Sequence, residues 1–146
     1  MPLASGFEIS TDRERIDLDY VHHYLSTLSY WAQGIPRDVV ARSIDNSIAF
    51  GLYGPDGKQA GFARVITDRA TFAWLADVFI DPAMQGKGLG KGLMEAIFGH
   101  SELQDLRRFM LVTLDAHSLY QQYGFGPPPN PERLMAVVRT DLYGKS

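Results

Sequence analysis

Residues 81–92 read Asp81-Pro82-Ala83-Met84-Gln85-Gly86-Lys87-Gly88-Leu89-Gly90-Lys91-Gly92, with glycine at every second position from Gly86 onward. On the N-terminal side lies Thr71 to Ile80, whose two faces are both largely apolar. Phe72, Trp74, Ala76, Val78 and Ile80 fall on one face, Leu75 and Phe79 on the other. Such a strand is central to a sheet and covered from both sides. Pro82 stops it. On the C-terminal side, Leu89 to Phe98 returns apolar residues at helical spacing. Strand, glycine loop and amphipathic helix in succession leave backbone N–H groups exposed at a helix N-terminus, where the dipole favours an anion. Glycines let the backbone approach that anion with no Cβ in the way. Lys87 and Lys91 add positive charge, and the stretch reads as a phosphate-binding loop.

Two nucleotide-binding patterns fail on spacing. A Walker loop needs G-x-x-x-x-G-K-[ST], but counting back from Gly90-Lys91 its first position is Gln85, and the residue after Lys91 is Gly92. A dinucleotide fingerprint G-x-G-x-x-G started at Gly86, Gly88 or Gly90 ends on Lys91, Leu93 or Glu95.

Outward from the loop, the middle of the chain has the period of strands. Ser47 to Tyr53 and Gln59 to Thr67 flank Gly54-Pro55-Asp56-Gly57, a hairpin turn by residue chemistry, and Asp68-Arg69-Ala70 turns into the strand before the loop. Upstream, Phe7 to Ser10 is a short opening strand. Leu18, Val21, Leu25 and Leu28 predict a helix from Leu18 to Tyr30, and after the Gly34 and Pro36 break a second helix runs through Ser43. Downstream, Phe109 to Leu114 is a strand, Asp115 caps a helix from Ala116 to Tyr123, Gly124 closes it, Pro127 to Pro129 are extended, and Leu134 to Arg139 form a last strand. Helices, an antiparallel meander and then strand–helix–strand units make an α+β fold with a mixed sheet.

Bulk composition narrows the function. The 146 residues suit one domain, 1–146, with a core that needs no staples. A hydrophobic share of 45% argues against a disordered chain, and a net charge of −3 argues against nucleic acid as a main partner. With no cysteine, disulfides, thiolate metal sites and a cysteine nucleophile are excluded. No apolar run approaches the ~20 residues of a membrane span, so the expectation is a cytoplasmic protein with no membrane partner.

Gln85-x-x-Gly88-x-Gly90, placed between strand and helix, resembles the Q/R-x-x-G-x-G/A signature of the GCN5-related N-acetyltransferases (GNAT). Leu119-Tyr120-Gln121-Gln122-Tyr123-Gly124-Phe125 resembles that family's late LYxxxGF element, and Ala116, four residues before Tyr120, also matches. The resemblance covers most of the chain from Ser47 onward. It implies a three-layer α/β/α arrangement with a mixed, mostly antiparallel sheet, in which a splayed parallel pair, Thr71 to Ile80 and Phe109 to Leu114, holds coenzyme A. It further implies acetyl-CoA as cosubstrate and direct transfer to an amine in a ternary complex, with a small-molecule acceptor ahead of a protein acceptor or a non-catalytic coenzyme A sensor. Backbone N–H groups from Gly86 to Gly90, including Lys87 and Leu89, would hold the pyrophosphate with Gln85 and Lys91 beside them. The backbone at Phe79 and Ile80 would pair with the pantetheine arm. Many relatives carry Asn seven residues before the tyrosine, where this chain has Thr113, and whether Thr113 or Asp115 takes over is open.

Direct transfer to an amine needs a neutral nucleophile, a polarised thioester carbonyl and a proton for the leaving thiolate. Tyr120 is the first candidate for that acid, because a phenol donates to a thiolate and the resemblance points the matching tyrosine at the sulfur; Tyr123 is the fallback. Asp77 is the candidate base. It is the only charged residue in an apolar strand, where a carboxylate is costly unless partnered or useful, and its alternative role is a structural bond to the backbone or to Arg64. His117 lies one turn before Tyr120 and is more often a solvated first-turn residue. His22 and His23 lack a third ligand at metal spacing, so no metal site is expected. Tyr24, Tyr30 and Trp31 cluster where the resemblance places the acceptor pocket, and with Asp19 would suit a small cationic or aromatic amine. Oligomeric state stays open, with a homodimer paired through the late strand from Leu134 among the outcomes, as in some relatives.

Overall fold

The structure, a computed structural model, describes residues 3–143. A five-stranded sheet runs in the order β1-β2-β3-β4-β5: Glu8–Ser10, Ile48–Tyr53, Gln59–Thr67, Phe72–Ile80 and Arg108–Met110. The first four pair antiparallel and β5 joins β4 in parallel, which makes the sheet mixed and mostly antiparallel, as expected. Every residue of β2 is buried, because helices cover both faces of the sheet.

Two apolar clusters form the outer layers. On one face α3 (Leu89–Phe98) presents Leu89, Leu93, Met94 and Ile97 to Ile48, Phe50, Leu52, Ala63, Val65, Ala73 and Leu75. Tyr120, from α4 (His117–Gln121), joins that face. The spacing 89-93-97 puts those α3 side chains on one stripe, and burying each contributes about 1.5–3 kcal/mol. On the opposite face α1 (Leu18–His23) and α2 (Arg37–Asp45) bring Val21, Val40 and Ile44 against Ala49, Phe62 and Phe79. Three layers, α/β/α, result.

The turns follow their residue chemistry. Gly57 closes the β2–β3 hairpin at φ +82, and Asp56 Oδ1 accepts from the Lys58 N–H at 2.9 Å. In the β3–β4 turn, Asp68 Oδ1 accepts from the N–H groups of Ala70, Thr71 and Phe72, and Oδ2 accepts from the Thr71 hydroxyl. These four donors hold the Asp68 carboxyl below the usual carboxylate range, the Thr71 hydroxyl contributing most.

Four expectations need correction. The helix expected through Tyr30 is α-helical only to His23, becomes a π-helical turn over Tyr24–Leu28, and stops where the Ser29 hydroxyl donates to the Leu25 carbonyl and accepts from the Ala32 N–H. The strand expected to Leu114 pairs only to Met110, because the chain leaves the sheet there. The helix expected from Ala116 to Tyr123 spans His117–Gln121; Ala116, not Asp115, is its N-cap, and the Thr113 hydroxyl accepts from the Ala116 N–H at 3.0 Å. The last strand is absent: among the described residues, Leu134 to Arg139 are exposed and pair with nothing.

The two-faced reading of β4 also shifts. Phe62 opposes Phe79 and Arg64 opposes Ala76, so β4 carries one extra residue, a β-bulge at Asp77–Val78. Asp77 absorbs it at φ +54, a left-handed conformation that Asp tolerates better than most residues. Past the bulge the alternation changes phase. Leu75 and Phe79, expected on one face, belong to opposite clusters, and Val78 and Ile80 now pack on the face of Leu75.

Candidate active site

The bulge and the early end of β5 together open a cleft. Pairing between β4 and β5 stops at Trp74 and Met110. Beyond that point β4 continues to Ile80, while residues 111–114 diverge towards α4. The resulting cleft has a volume of about 550 Å³. It is lined along β4 by Val78, Phe79 and Ile80, and at the glycine loop by Met84, Gln85, Gly86, Gly88, Leu89, Gly90 and Lys91. Across from them are Asp115, Ala116, Leu119 and Tyr120, and at the mouth Tyr24, Leu28, Tyr30 and Trp31.

The phosphate-binding expectation can be tested on the loop itself. Gly88 occupies the N-cap position of α3 at φ +74 and, having no side chain, caps nothing. The first N–H groups of α3 thus keep an open face. A Cβ placed on Gly86 or Gly88 would meet no atom within 4 Å. Neither glycine is there to relieve packing. Both sit in the left-handed region, at φ +85 and +74, which holds successive N–H groups outward as an anion nest requires. The donor set fits a pyrophosphate. Asp81 anchors the loop by accepting from the Ala83 N–H and from the Tyr20 hydroxyl, at 2.9 Å each. Burial, followed by the bond to Asp81, raises the Tyr20 hydroxyl well above its ordinary range. Gln85 Nε2 reaches the Ile80 carbonyl at 3.4 Å, tying the loop back to the strand end.

Tyr120 comes from α4, with its ring in the core beside Phe125. Among the described residues its hydroxyl has no hydrogen-bond partner. Burial first, then the neighbouring Tyr30 and Asp115, raises its pKa. A phenol in the wall of a cleft, protonated at neutral pH and uncommitted to any bond, can act as a proton donor.

Three aromatic residues close the mouth. Tyr24, delivered by the π-helical turn, stacks on Phe79 with ring centroids 3.8 Å apart and planes 5° apart. Tyr30 meets Trp31 edge to face, and the Tyr30 hydroxyl accepts from the Leu114 N–H at 3.2 Å, bridging the mouth to the diverging strand. Trp31 Nε1 donates to Asp77 Oδ1 at 2.8 Å, fixing the other end of the bridge to the bulge.

Asp77 itself does not line the cleft. Arg64 Nε donates to its Oδ2 at 2.9 Å, Trp31 occupies its Oδ1, and Arg64 reaches on to the Ser47 hydroxyl at 3.2 Å. The Lys87 side chain also lies outside the lining, although its neighbours on both sides line it. His117 is exposed, His22 Nε2 contacts the Ile35 carbonyl, and Asp19 pairs with Arg37, so none of the three faces the cleft. No group of three His, Asp or Glu side chains suited to a metal occurs among the described residues. Sequence reasoning missed the Tyr20–Asp81 bond and the contributions of Leu28, Val78, Met84 and Leu119. Met84 carried a signal in its loop position and Leu119 in the LYxxxGF element, whereas Leu28 depends on the π-helical turn, Val78 on the bulge and the Tyr20–Asp81 bond on tertiary contact.

A smaller concavity of about 250 Å³ lies near Ser47 and His100. Its charged walls, Arg13–Asp45 and Arg69–Glu102, already satisfy each other, and it has no glycine loop.

The family pattern of the Acetyltransferase (GNAT) domain matches residues 46–127, the span holding the meander, glycine loop, cleft and Tyr120. The chain belongs to the GNAT acetyltransferase family. A protein of Gibberella zeae that carries an acetyltransferase name is 34% identical over 133 residues, covering 77% of this chain and 74% of its own. A solved GNAT-family structure from Xanthomonas campestris pv. campestris is 46% identical with a TM-score of 0.94, covering 99% of this chain and all of that one. The fold alone is shared with a GNAT acetyltransferase from Elizabethkingia anophelis solved with acetyl-CoA bound, at 12% identity and a TM-score of 0.64, over 86% of this chain and 80% of that one. For this GNAT chain the reaction class is acetyl transfer, and the family uses acetyl-CoA. No helix among its described residues is long and apolar enough to cross a membrane.

Proposed function

We propose that this GNAT acetyltransferase is a single-domain cytoplasmic enzyme that moves an acetyl group from acetyl-CoA directly to the amine of a small molecule. The observation that carries the reading is the convergence, in one cleft of about 550 Å³, of an uncapped glycine loop, the Phe79–Ile80 edge and the Tyr120 hydroxyl. Acetyl-CoA supplies the thioester. N–H groups from Gly86 to Gly90 bind the pyrophosphate, with Gln85, Lys87 and Lys91 beside them, and the Phe79–Ile80 backbone pairs with the pantetheine arm. The Thr113 hydroxyl accepts from the Ala116 N–H and keeps its own O–H, the donor it can offer the arm in place of the usual Asn. Tyr120 holds a proton at Oη and delivers it to the leaving sulfur.

The acceptor end supports a small amine. Tyr24, Tyr30 and Trp31 wall it with π-faces, which attract a cation, and Asp115 is the carboxylate in its lining. The bridge made by Tyr30 and Trp31 narrows the mouth, which favours a compact acceptor over a peptide laid along a groove. Asp77 acts as a positioning residue, holding Trp31 on one oxygen and Arg64 on the other. Its use as a base through water is the competing role.

Titration of acetyl-CoA into the protein by calorimetry tests the loop. Micromolar binding that Gly88→Trp abolishes is the expected result. Wild-type protein that does not bind, or a variant that binds equally well, removes the loop from the site. An amine panel then separates small-molecule from peptide acceptors by kcat/KM.

A further inference from the structure

An amine that becomes an amide loses a proton, and a group in the cleft has to take it. A carboxylate is suited to that task. Two carboxylates beside the cleft are already committed. Asp77 has Arg64 on one oxygen and Trp31 on the other. Asp81 accepts from the Tyr20 hydroxyl and from the Ala83 N–H. Asp115 differs from both. It lines the cleft itself, and among the described residues its side chain makes no hydrogen bond and no ion pair.

The segment that carries Asp115 is held on both sides. Before it, the Leu114 N–H donates to the Tyr30 hydroxyl at 3.2 Å; after it, the Ala116 N–H donates to Thr113 Oγ1 at 3.0 Å. The backbone is thus pinned while the carboxylate stays free, the combination required of a group that meets a substrate in fixed geometry. Leu119 and Tyr120 follow on α4 and line the same wall. Burial, then Tyr30, then Asp115 raise the Tyr120 pKa, so the carboxylate and the phenol lie within electrostatic reach of each other. Tyr30 serves two purposes here. It walls the acceptor end and, through Leu114, fixes the place of Asp115 beside it.

We infer that Asp115 is a second catalytic residue of this cleft, the base that takes the acceptor's proton and passes it on to Tyr120. The inference rests on the amine-acetylation reading above. The neutral amine attacks the thioester carbonyl carbon, forming the C–N bond and moving the carbonyl π pair onto oxygen. The nitrogen of this adduct is positively charged and more acidic than a free ammonium, so a carboxylate can take its proton. The carbonyl re-forms as the C–S bond breaks with its electron pair on sulfur, and Tyr120 Oη gives its proton to that sulfur. Asp115 then gives its proton to the phenolate, which restores both groups. Amine and thioester have become amide and thiol, with no proton left over. The order is reinforced electrostatically. Once protonated, Asp115 no longer opposes a phenolate, so Tyr120 releases its proton most readily as the sulfur leaves.

Thiol release from acetyl-CoA, read with a thiol-reactive dye, is free of background from the protein because the chain has no cysteine. A panel of 2-phenylethylamine, tyramine, glucosamine and spermidine identifies the acceptor turned over best. With that acceptor, Asp115→Asn should lower kcat about 100-fold while acetyl-CoA affinity by calorimetry stays within about twofold of wild type. Asp115→Ala leaves room for a carboxylate from solution, and added formate should recover about tenfold of the lost kcat, a rescue that a structural role does not permit. Tyr120→Phe combined with Asp115→Asn should cost little more than either alone, since both act in one proton circuit. Wild-type kcat in Asp115→Asn overturns the inference and leaves the amine-acetylation reading standing. So does a folded Asp115→Ala that formate does not rescue, or a double variant whose losses multiply. A wild type that turns over no amine of the panel removes that reading and the inference together.

Discussion

Asp77 occupies the one position where backbone geometry, ion pairing and the cleft mouth meet, and its substitution separates their contributions. Asp77→Ala removes the acceptor from Arg64 and Trp31 and places an ordinary side chain at φ +54. Both partners of the ion pair are largely buried, their side chains 15% and 11% exposed, so solvent does not replace the lost carboxylate. Leaving a buried partner unpaired costs about 3–5 kcal/mol, and the pair's residual exposure favours the lower end. A left-handed alanine adds about 1 kcal/mol. The expected loss is therefore about 4 kcal/mol. Asp77→Asn keeps an acceptor for Trp31 and tolerates the left-handed conformation, losing only the charge opposite Arg64, so about 1.5–2 kcal/mol is expected. Urea unfolding followed by circular dichroism reads both values, and at roughly 4 °C per kcal/mol the difference is also visible in Tm. A positioning role predicts that Asp77→Asn keeps kcat within about tenfold, whereas loss of a general base costs about 100-fold or more. An Asp77→Ala protein within 0.5 kcal/mol of wild type would refute the structural reasoning. A folded Asp77→Asn with kcat down 100-fold and KM unchanged would make Asp77 the base.

Tyr120→Phe should lower kcat about 100-fold with the acetyl-CoA affinity by calorimetry unchanged, and equal turnover would remove Tyr120 as the acid. Burial raises the Tyr120 pKa, so its protonated, donating form persists as pH rises past the ordinary phenol value of about 10. The alkaline fall in kcat therefore lies above pH 10, and a fall near pH 8 points to another group. Tyr20→Phe frees the Asp81 carboxylate from the hydroxyl that anchors it; about 1 kcal/mol of stability and a several-fold weaker acetyl-CoA affinity are expected, both read by titration. Asp68, held below the usual carboxylate range, gives the β3–β4 turn stability that is complete above its unfolded pKa of about 3.9 and fades as pH falls through the lower folded value. Asp68→Asn should flatten the acid limb of an unfolding curve, and an unchanged limb assigns acid sensitivity elsewhere.

Much of the fold was legible because its signals are local. The Gly54 to Gly57 turn, the glycine loop and the α3 stripe depend on neighbouring residues, and the observed α3 matches the expected one at both ends. Binary pattern also fixed the two-sided burial of the sheet. Less legible was the early end of β5, because Leu111 to Leu114 are as strand-prone as Arg108 to Met110 and only the splay parts them. The cleft residues came out unevenly for the same reason. Gln85 to Gly90 announced themselves by spacing, whereas Tyr20 meets Asp81 across 61 positions of chain.

Asp77 marks the boundary most clearly. By itself the sequence determined that a charged residue interrupts an apolar strand, that a glycine-rich loop follows it, and that a tyrosine stands second in the LYxxxGF element. Only the tertiary structure decided that the strand bulges there, turning Val78 and Ile80 to the face of Leu75 and Asp77 towards Arg64 and Trp31. A period-2 pattern records which residues are apolar but not where one residue is inserted, because the insertion is defined only against the neighbouring strand. The arm from Leu134 to Arg139 shows the same limit. Its composition is that of a strand, yet among the described residues it pairs with nothing, because a ladder needs a neighbouring edge that local sequence does not name.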